Sequence, residues 1–138
     1  GILLENPSFL PNLTGRANLR LLAEMQGHIT DTCLDHTLST VGLDANDPRK
    51  YRKYSLGMKQ RLGIAAAVLN DPDIIILDEP LNALDTEGVA MVHDIINAGR
   101  ERGAIILLAC HNREELDALA DELILIENGQ ITSPQKSQ

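Results

Sequence analysis

Ile74-Ile75-Ile76-Leu77-Asp78-Glu79-Pro80 is the stretch on which the fold class turns. Its aliphatic half shows no polar alternation, the pattern of a strand buried on both faces of a parallel sheet. The run stops at two adjacent acids. In open parallel sheets ligands bind beyond the carboxyl ends of the strands, so both carboxylates arrive at a ligand-binding edge. One can serve a metal while the other handles a proton. Mg²⁺ bound with a nucleotide commonly takes one or two protein carboxylates, with phosphates and waters supplying the rest. An ordinary acidic turn after a strand carries the same local sequence, so the flanking segments decide between the two.

Upstream lies Tyr54-Ser55-Leu56-Gly57-Met58-Lys59-Gln60-Arg61, which opens an Ala-rich helix over Gly57 to Leu69. Ser and Gly at a helix start present a hydroxyl and open backbone N–H groups, and the helix dipole adds about half a positive charge there. Such an end binds anions, phosphate above all. The competing reading of Ser-x-Gly before a helix is a plain N-cap. Downstream come Asn82-Ala83-Leu84-Asp85, a helix over Thr86 to Arg102 closed by Gly103, and a second aliphatic strand, Ala104 to Ala109. His111 follows that strand, at the edge of Asp78 and Glu79 if the strands are parallel. There its imidazole can donate to a phosphate oxygen; the alternative is a surface histidine at a strand end. His28, His36 and His93 are assigned to solvated helix faces or loops.

The remaining chain reads as helix and strand in alternation. Residues 1–13 are a strand end and a loop in which Pro7, Pro11 and Asn12 oppose helix. Thr14 is an N-cap for a helix with Leu19, Leu22 and Met25 on one face, stopped by Gly27. A second helix starts near Thr30 or Asp31, carries Leu34, Leu38 and Val41 at helical spacing, and ends at Gly42. Residues 44–54 read as a polar connector. Arg113 to Ala120 is helical, Leu123 to Ile126 is a third strand, and Asn128-Gly129 signals a hairpin turn. Residues 133–138 read as a frayed tail. This order implies an α/β fold with a mostly parallel sheet.

Composition narrows the function classes. The 138 residues carry a formal net charge of −8, against a nucleic-acid surface. Aromatic residues are 2% of the chain, so the core is expected to be aliphatic. No apolar run approaches the roughly 20 residues that cross a bilayer. Two distant cysteines, Cys33 and Cys110, are read as reduced and hydrophobic rather than as a disulfide.

Together these residues resemble the ATP-binding subunit of ABC transporters. Tyr54-Ser55-Leu56-Gly57-Met58 occupies the place of the family's Leu-Ser-Gly-Gly-Gln signature. Ile74 to Glu79 matches the Walker B strand and its following glutamate, Asn82 to Asp85 the D-loop, and His111 the switch histidine. Leu3-Leu4-Glu5-Asn6-Pro7 and Asn12 to Leu19 resemble the Q-loop and the start of the helical subdomain, most like the bacitracin and lantibiotic-type exporters. Glu5 stands in place of the Q-loop glutamine. Tyr54, Leu56 and Met58 depart from the signature.

The resemblance implies a partial P-loop NTPase fold of the ABC ATPase type. Residues 1–13 would be the Q-loop region, 14–54 an inserted helical subdomain, and 55–132 the signature, Walker B, D-loop and switch-histidine part. It further implies ATP and Mg²⁺ as cofactors, with Asp78 and Glu5 near the metal, Glu79 as general base and His111 at the γ-phosphate. Ser55, Gly57 and Met58 would face a partner subunit's nucleotide, and Asp85 would communicate across the dimer. The implied partners are a second ATP-binding subunit and a transmembrane permease, at the cytoplasmic face of the membrane, with no nucleic acid. No Gly-x-x-x-x-Gly-Lys-[Ser/Thr] occurs in the 138 residues. The P-loop is therefore expected before residue 1, residue 1 is read as a cut, and the chain alone is expected to bind ATP very weakly. Missing strands would leave apolar edges to be buried by self-association. The rival classes are a non-transport ABC-family ATPase and a non-catalytic interaction fragment.

Overall fold

A computed structural model describes residues 1–4, 8–27 and 29–136. Three strands, β1 (Ile2–Leu3), β2 (Ile74–Asp78) and β3 (Ile105–Ala109), form a parallel sheet in the order β1-β2-β3. In register, Leu3 pairs with Leu77, and Asp78 with Ala109. The carboxyl ends of β2 and β3 therefore lie side by side, and the residues after them share one edge.

Helix α3 (Leu56–Val68) is apolar nearly all round, as expected of a central buried helix. Leu62, Ile64, Ala65 and Ala67 are fully buried, and the helix packs on β1 and β2. Helix α4 (Thr86–Glu101) packs on β3 through an amphipathic face that includes Val92, Ile95 and Ile96. Between β1 and α3 sit α1 (Gly15–Gln26) and α2 (Asp31–Thr40), packed on each other and on α3. The Thr14 and Thr30 side chains cap them by accepting from the Ala17 and Cys33 amides, both at 3.2 Å. Gly42 follows α2 at φ 70°, a left-handed stop that a side chain resists.

The three aromatic residues of the chain form one patch at the neck of this helical pair. Phe9 meets Tyr51 edge-on at 5.3 Å, and Tyr51 lies 6.0 Å from Tyr54. The connector is not structureless there, because Tyr51–Lys53 makes a 3₁₀ turn. The Tyr51 amide donates to the Leu13 carbonyl at 2.8 Å and the Arg52 amide to Pro11 at 3.1 Å, so the chain entering and leaving the helical pair is tied together.

Three expectations are corrected. First, β2 is buried on one face only: Ile75 and Leu77 are 1% exposed, whereas Ile74 is 52% exposed. Register places Ile74 and Ile105 on that open face, where Ile105 is 61% exposed. Second, after α5 (Arg113–Leu119), the strand β4 (Glu122–Glu127) does not join the parallel sheet. It pairs antiparallel with β5 (Gln130–Lys136) as a separate hairpin. The Asn128-Gly129 turn has φ of 50° and 76°, the geometry such a hairpin prefers. Third, residues 133–136, read as frayed, belong to β5. Leu125 pairs with Thr132 but Leu123 pairs with Gln135, so β5 carries an extra residue opposite Ile124. That bulge accommodates Pro134, which has no amide to give to a ladder. Cys33 and Cys110 are both free, as expected.

Candidate functional site

The carboxyl end of β2 carries Asp78 and Glu79, and the carboxyl end of β3 carries His111. The parallel register brings the last two into contact. His111 Nδ1 lies 2.9 Å from both carboxylate oxygens of Glu79, and the His111 backbone amide donates to Oε1 at 3.1 Å. An ionised carboxylate only accepts, so Nδ1 carries the proton in this pairing. The Glu79 side chain is 21% exposed and that of His111 is 77% exposed, so the pair faces outward from its sheet edge. His111 is thus held by Glu79 rather than standing as an isolated strand-end histidine.

Glu79 adopts a left-handed backbone, φ 49°, and so does Ala83 at φ 62°. Such conformations in non-glycine residues cost on the order of 1–3 kcal/mol each and persist only where neighbours hold them. The Glu79 amide donates to the Ala109 carbonyl at 2.8 Å, and its carbonyl accepts from the Asn82 amide at 3.2 Å.

The amino end of α3 approaches the same loop. The Ser55 hydroxyl accepts from the Met58 amide at 3.2 Å, so it caps the helix. Ser55 and Leu56 are exposed, and Gly57 and Met58 are half-buried. A Cβ on Gly57 would lie 3.0 Å from the Ala83 carbonyl oxygen, so the absence of a side chain lets α3 come against the loop 82–85. Asp85 caps α4, accepting from the Gly88 amide at 2.9 Å, and pairs with Arg61 Nη2 at 3.1 Å. The Gly88 amide first, and the Arg61 charge after it, hold the Asp85 carboxyl below the usual carboxylate range against desolvation. Glu79 and His111 therefore meet at the sheet edge beside Asp78, and Gly57 lies against the loop 82–85 that Asp85 closes. Glu5 lies outside the described residues, as does His28.

Two residues of this site were missed in the sequence. Gln60 is 5% exposed, and its Nε2 donates to the carbonyls of Glu79 and Pro80, both at 3.1 Å. Arg61 also donates through Nη1 to the Val41 carbonyl at 2.9 Å, so one guanidinium joins the end of α2 to the start of α4. The signal for Gln60 was its spacing: Gln60, Ile64 and Ala67 lie along one buried stripe, where an amide must find partners. His93 was also misassigned. Its Nε2 lies 2.8 Å from Glu115 Oε2, and the pair, half-buried, joins α4 to α5.

The donor set suits a hard cation held partly by phosphate. Among the described residues no group of three or more His, Cys, Asp or Glu side chains converges on a metal position. Asp78 and Glu79 supply oxygen donors at the sheet edge, which fits Mg²⁺ with one or two protein carboxylates and not a protein-only cage.

The family described as ABC transporter matches residues 1–82. The chain is 39% identical over 136 residues to the ABC transporter ATP-binding protein YybJ of Bacillus subtilis, covering 99% of this chain and 62% of that protein. It is 37% identical over 132 residues to the bacitracin transport ATP-binding protein BcrA of Enterococcus faecalis, covering 95% and 43%. To the lantibiotic transport ATP-binding protein SrtF of Streptococcus pyogenes it is 37% identical over 131 residues, covering 95% and 57%. A solved structure of the ATP-binding subunit of an ABC transporter superposes with a TM-score of 0.88 at 26% identity, over 98% of this chain and 57% of that one. The chain thus spans about half the length of these relatives.

Proposed function

The chain belongs to the ABC transporter family, and from that premise we propose that it is the signature and Walker B portion of an ATP-hydrolysing subunit that powers export across a membrane. The observation that carries the proposal is the Glu79 carboxylate, held by His111 through ring and backbone at the carboxyl edge of the parallel sheet. Glu79 acts as general base on the attacking water, taking its proton as the water attacks the γ-phosphorus. His111 orients that carboxylate through Nδ1 and, in its doubly protonated form, donates from Nε2 to a γ-phosphate oxygen. Asp78 would hold Mg²⁺, which when bound neutralises charge on the triphosphate. Phosphoryl transfer depends mainly on such positioning and charge balance.

Ser55, Gly57 and Met58 work in trans on this reading. Exposed Ser55 at the start of α3 meets the nucleotide held by a P-loop on a second ATP-binding subunit. Asp85 relays between the two subunits through its cap and its Arg61 pair. The helical pair α1 and α2 faces a transmembrane permease, and the assembly sits at the cytoplasmic face of the membrane. Similarity to bacitracin and lantibiotic transport proteins supports a peptide antibiotic or a similar molecule as cargo. The charge of −8 supports no role on nucleic acid.

Glu79→Gln tests the assignment. In the longer subunit that joins these residues to a P-loop, the variant should keep Mg²⁺-ATP binding and lose turnover by roughly 10²- to 10⁴-fold, the scale of a general base. Turnover within about twofold of the parent, well inside that scale, would remove Glu79 from the role.

A further inference from the structure

Gln60 belongs to a helix that otherwise buries aliphatic and alanine side chains, yet its amide is buried and both of its Nε2 hydrogens are used. They go to consecutive carbonyls, Glu79 and Pro80, each at 3.1 Å. On the other side of the same residue, the Glu79 amide is fixed to β3 by the Ala109 carbonyl at 2.8 Å. Glu79 is therefore gripped from β3 at its amide and from α3 at its carbonyl, in a left-handed conformation that glutamate does not adopt unaided. Pro80, itself fully buried, has no amide of its own to contribute.

We propose that Gln60 is a positioning residue for Glu79, fixing the Glu79-Pro80 step so that the carboxylate meets His111. This rests on the reading of Glu79 as the general base. The start of α3 then has two duties. Its exposed end, at Ser55 and Gly57, faces outward, while one turn further on Gln60 sets the base within the same chain. A displacement of α3 is transmitted through Gln60 to the carboxylate without any contact between α3 and the water that Glu79 activates. Near-attack geometry tolerates little error, so the cost of losing Gln60 falls on the chemical step and not on nucleotide affinity.

Two variants test this. Gln60→Met keeps length and apolar packing but removes both donors; Gln60→Glu keeps shape and sets acceptors against two carbonyls. One arm reads amide hydrogen exchange by NMR without nucleotide; the other reads steady-state ATP turnover in the longer subunit that joins these residues to a P-loop. Exchange at the Asn82 and His111 amides should rise about tenfold or more, while amides inside α4 hold, as expected of a local opening. The kcat should fall roughly 10- to 100-fold with little change in KM. Val92→Ala, a core truncation in α4 matched for lost stability, is the control. If that control loses kcat equally, or if exchange at Asn82 and His111 does not move, Gln60 is only a core amide and the proposal is overturned. The two readings separate cleanly. Raised exchange with turnover that survives Glu79→Gln sinks the base assignment alone, and unchanged exchange with normal turnover sinks the Gln60 proposal alone.

Discussion

Tyr54 occupies a position where the signature sequence carries leucine, and its phenol accounts for the change. The Tyr54 hydroxyl accepts from the Gly15 amide at 3.2 Å, at the first residue of α1, and the ring is 7% exposed. A leucine would fill part of the space and leave that buried amide unpaired. Tyr54→Phe should therefore cost about 1–3 kcal/mol in urea unfolding, the usual penalty for an orphaned buried donor. Burial also raises the ionisation of both Tyr54 and Tyr51 above the ordinary phenol value. With folded pKa values above the unfolded ones, their contribution is complete below about pH 10 and is lost as pH rises through the folded values. Tyr54→Phe should flatten part of that alkaline decline; an unchanged slope would mean that Tyr54 ionises freely in the folded chain. Residues with a chemical habit were legible at this scale: a carboxylate after an aliphatic strand, a serine before a helix, a histidine after a second strand. The spacing of Gln60 signalled its burial, but the partners of Gln60 and Arg61 were not legible, because they are backbone carbonyls and a loop acid set by tertiary packing.

Elements were legible where their ends carry punctuation. Thr14 and Ser55 cap helices through their side chains as read from the sequence, and Asp85 and Asn112 do so as well. The loop from 8 to 13 was not legible, because what orders it is a residue one turn inside α1. Asn18 is 3% exposed. Its Oδ1 accepts from the Leu10 amide at 2.8 Å, and its Nδ2 donates to the carbonyls of Thr14 at 3.0 Å and Leu10 at 3.2 Å. Within a helical pattern such an asparagine resembles a solvated face. Asn18→Leu should keep α1, cost about 1–3 kcal/mol through the unpaired Leu10 groups, and raise amide exchange at Leu10 and Leu13. Protection in that loop equal to the parent's would show that the aromatic patch alone holds it. The β4 hairpin was legible from Asn128-Gly129, but its length was not: β5 continues through a polar, proline-bearing segment whose bulge only the register reveals.

At the scale of the whole molecule, the parallel sheet has one face covered by α3 and α4 and another, with Ile2, Ile74, Ile105 and Leu107, open among the described residues. Periodicity could not foretell this, since an aliphatic run reads the same whether or not its second face is covered. What the sequence did convey was the order of its motifs, and the fold turns that order into one edge where Glu79, His111, Asp78 and the start of α3 meet. The central claim is that the start of α3 works on a nucleotide held by a P-loop from another subunit. Mg²⁺-ATP binding, measured for the 138-residue chain alone and mixed with a subunit that carries a P-loop, tests it most directly. The account predicts very weak binding alone, binding in the mixture, and loss of the gain over the P-loop subunit by itself in Ser55→Arg. Tight Mg²⁺-dependent binding by the chain alone, or a mixture indifferent to Ser55→Arg, would contradict it.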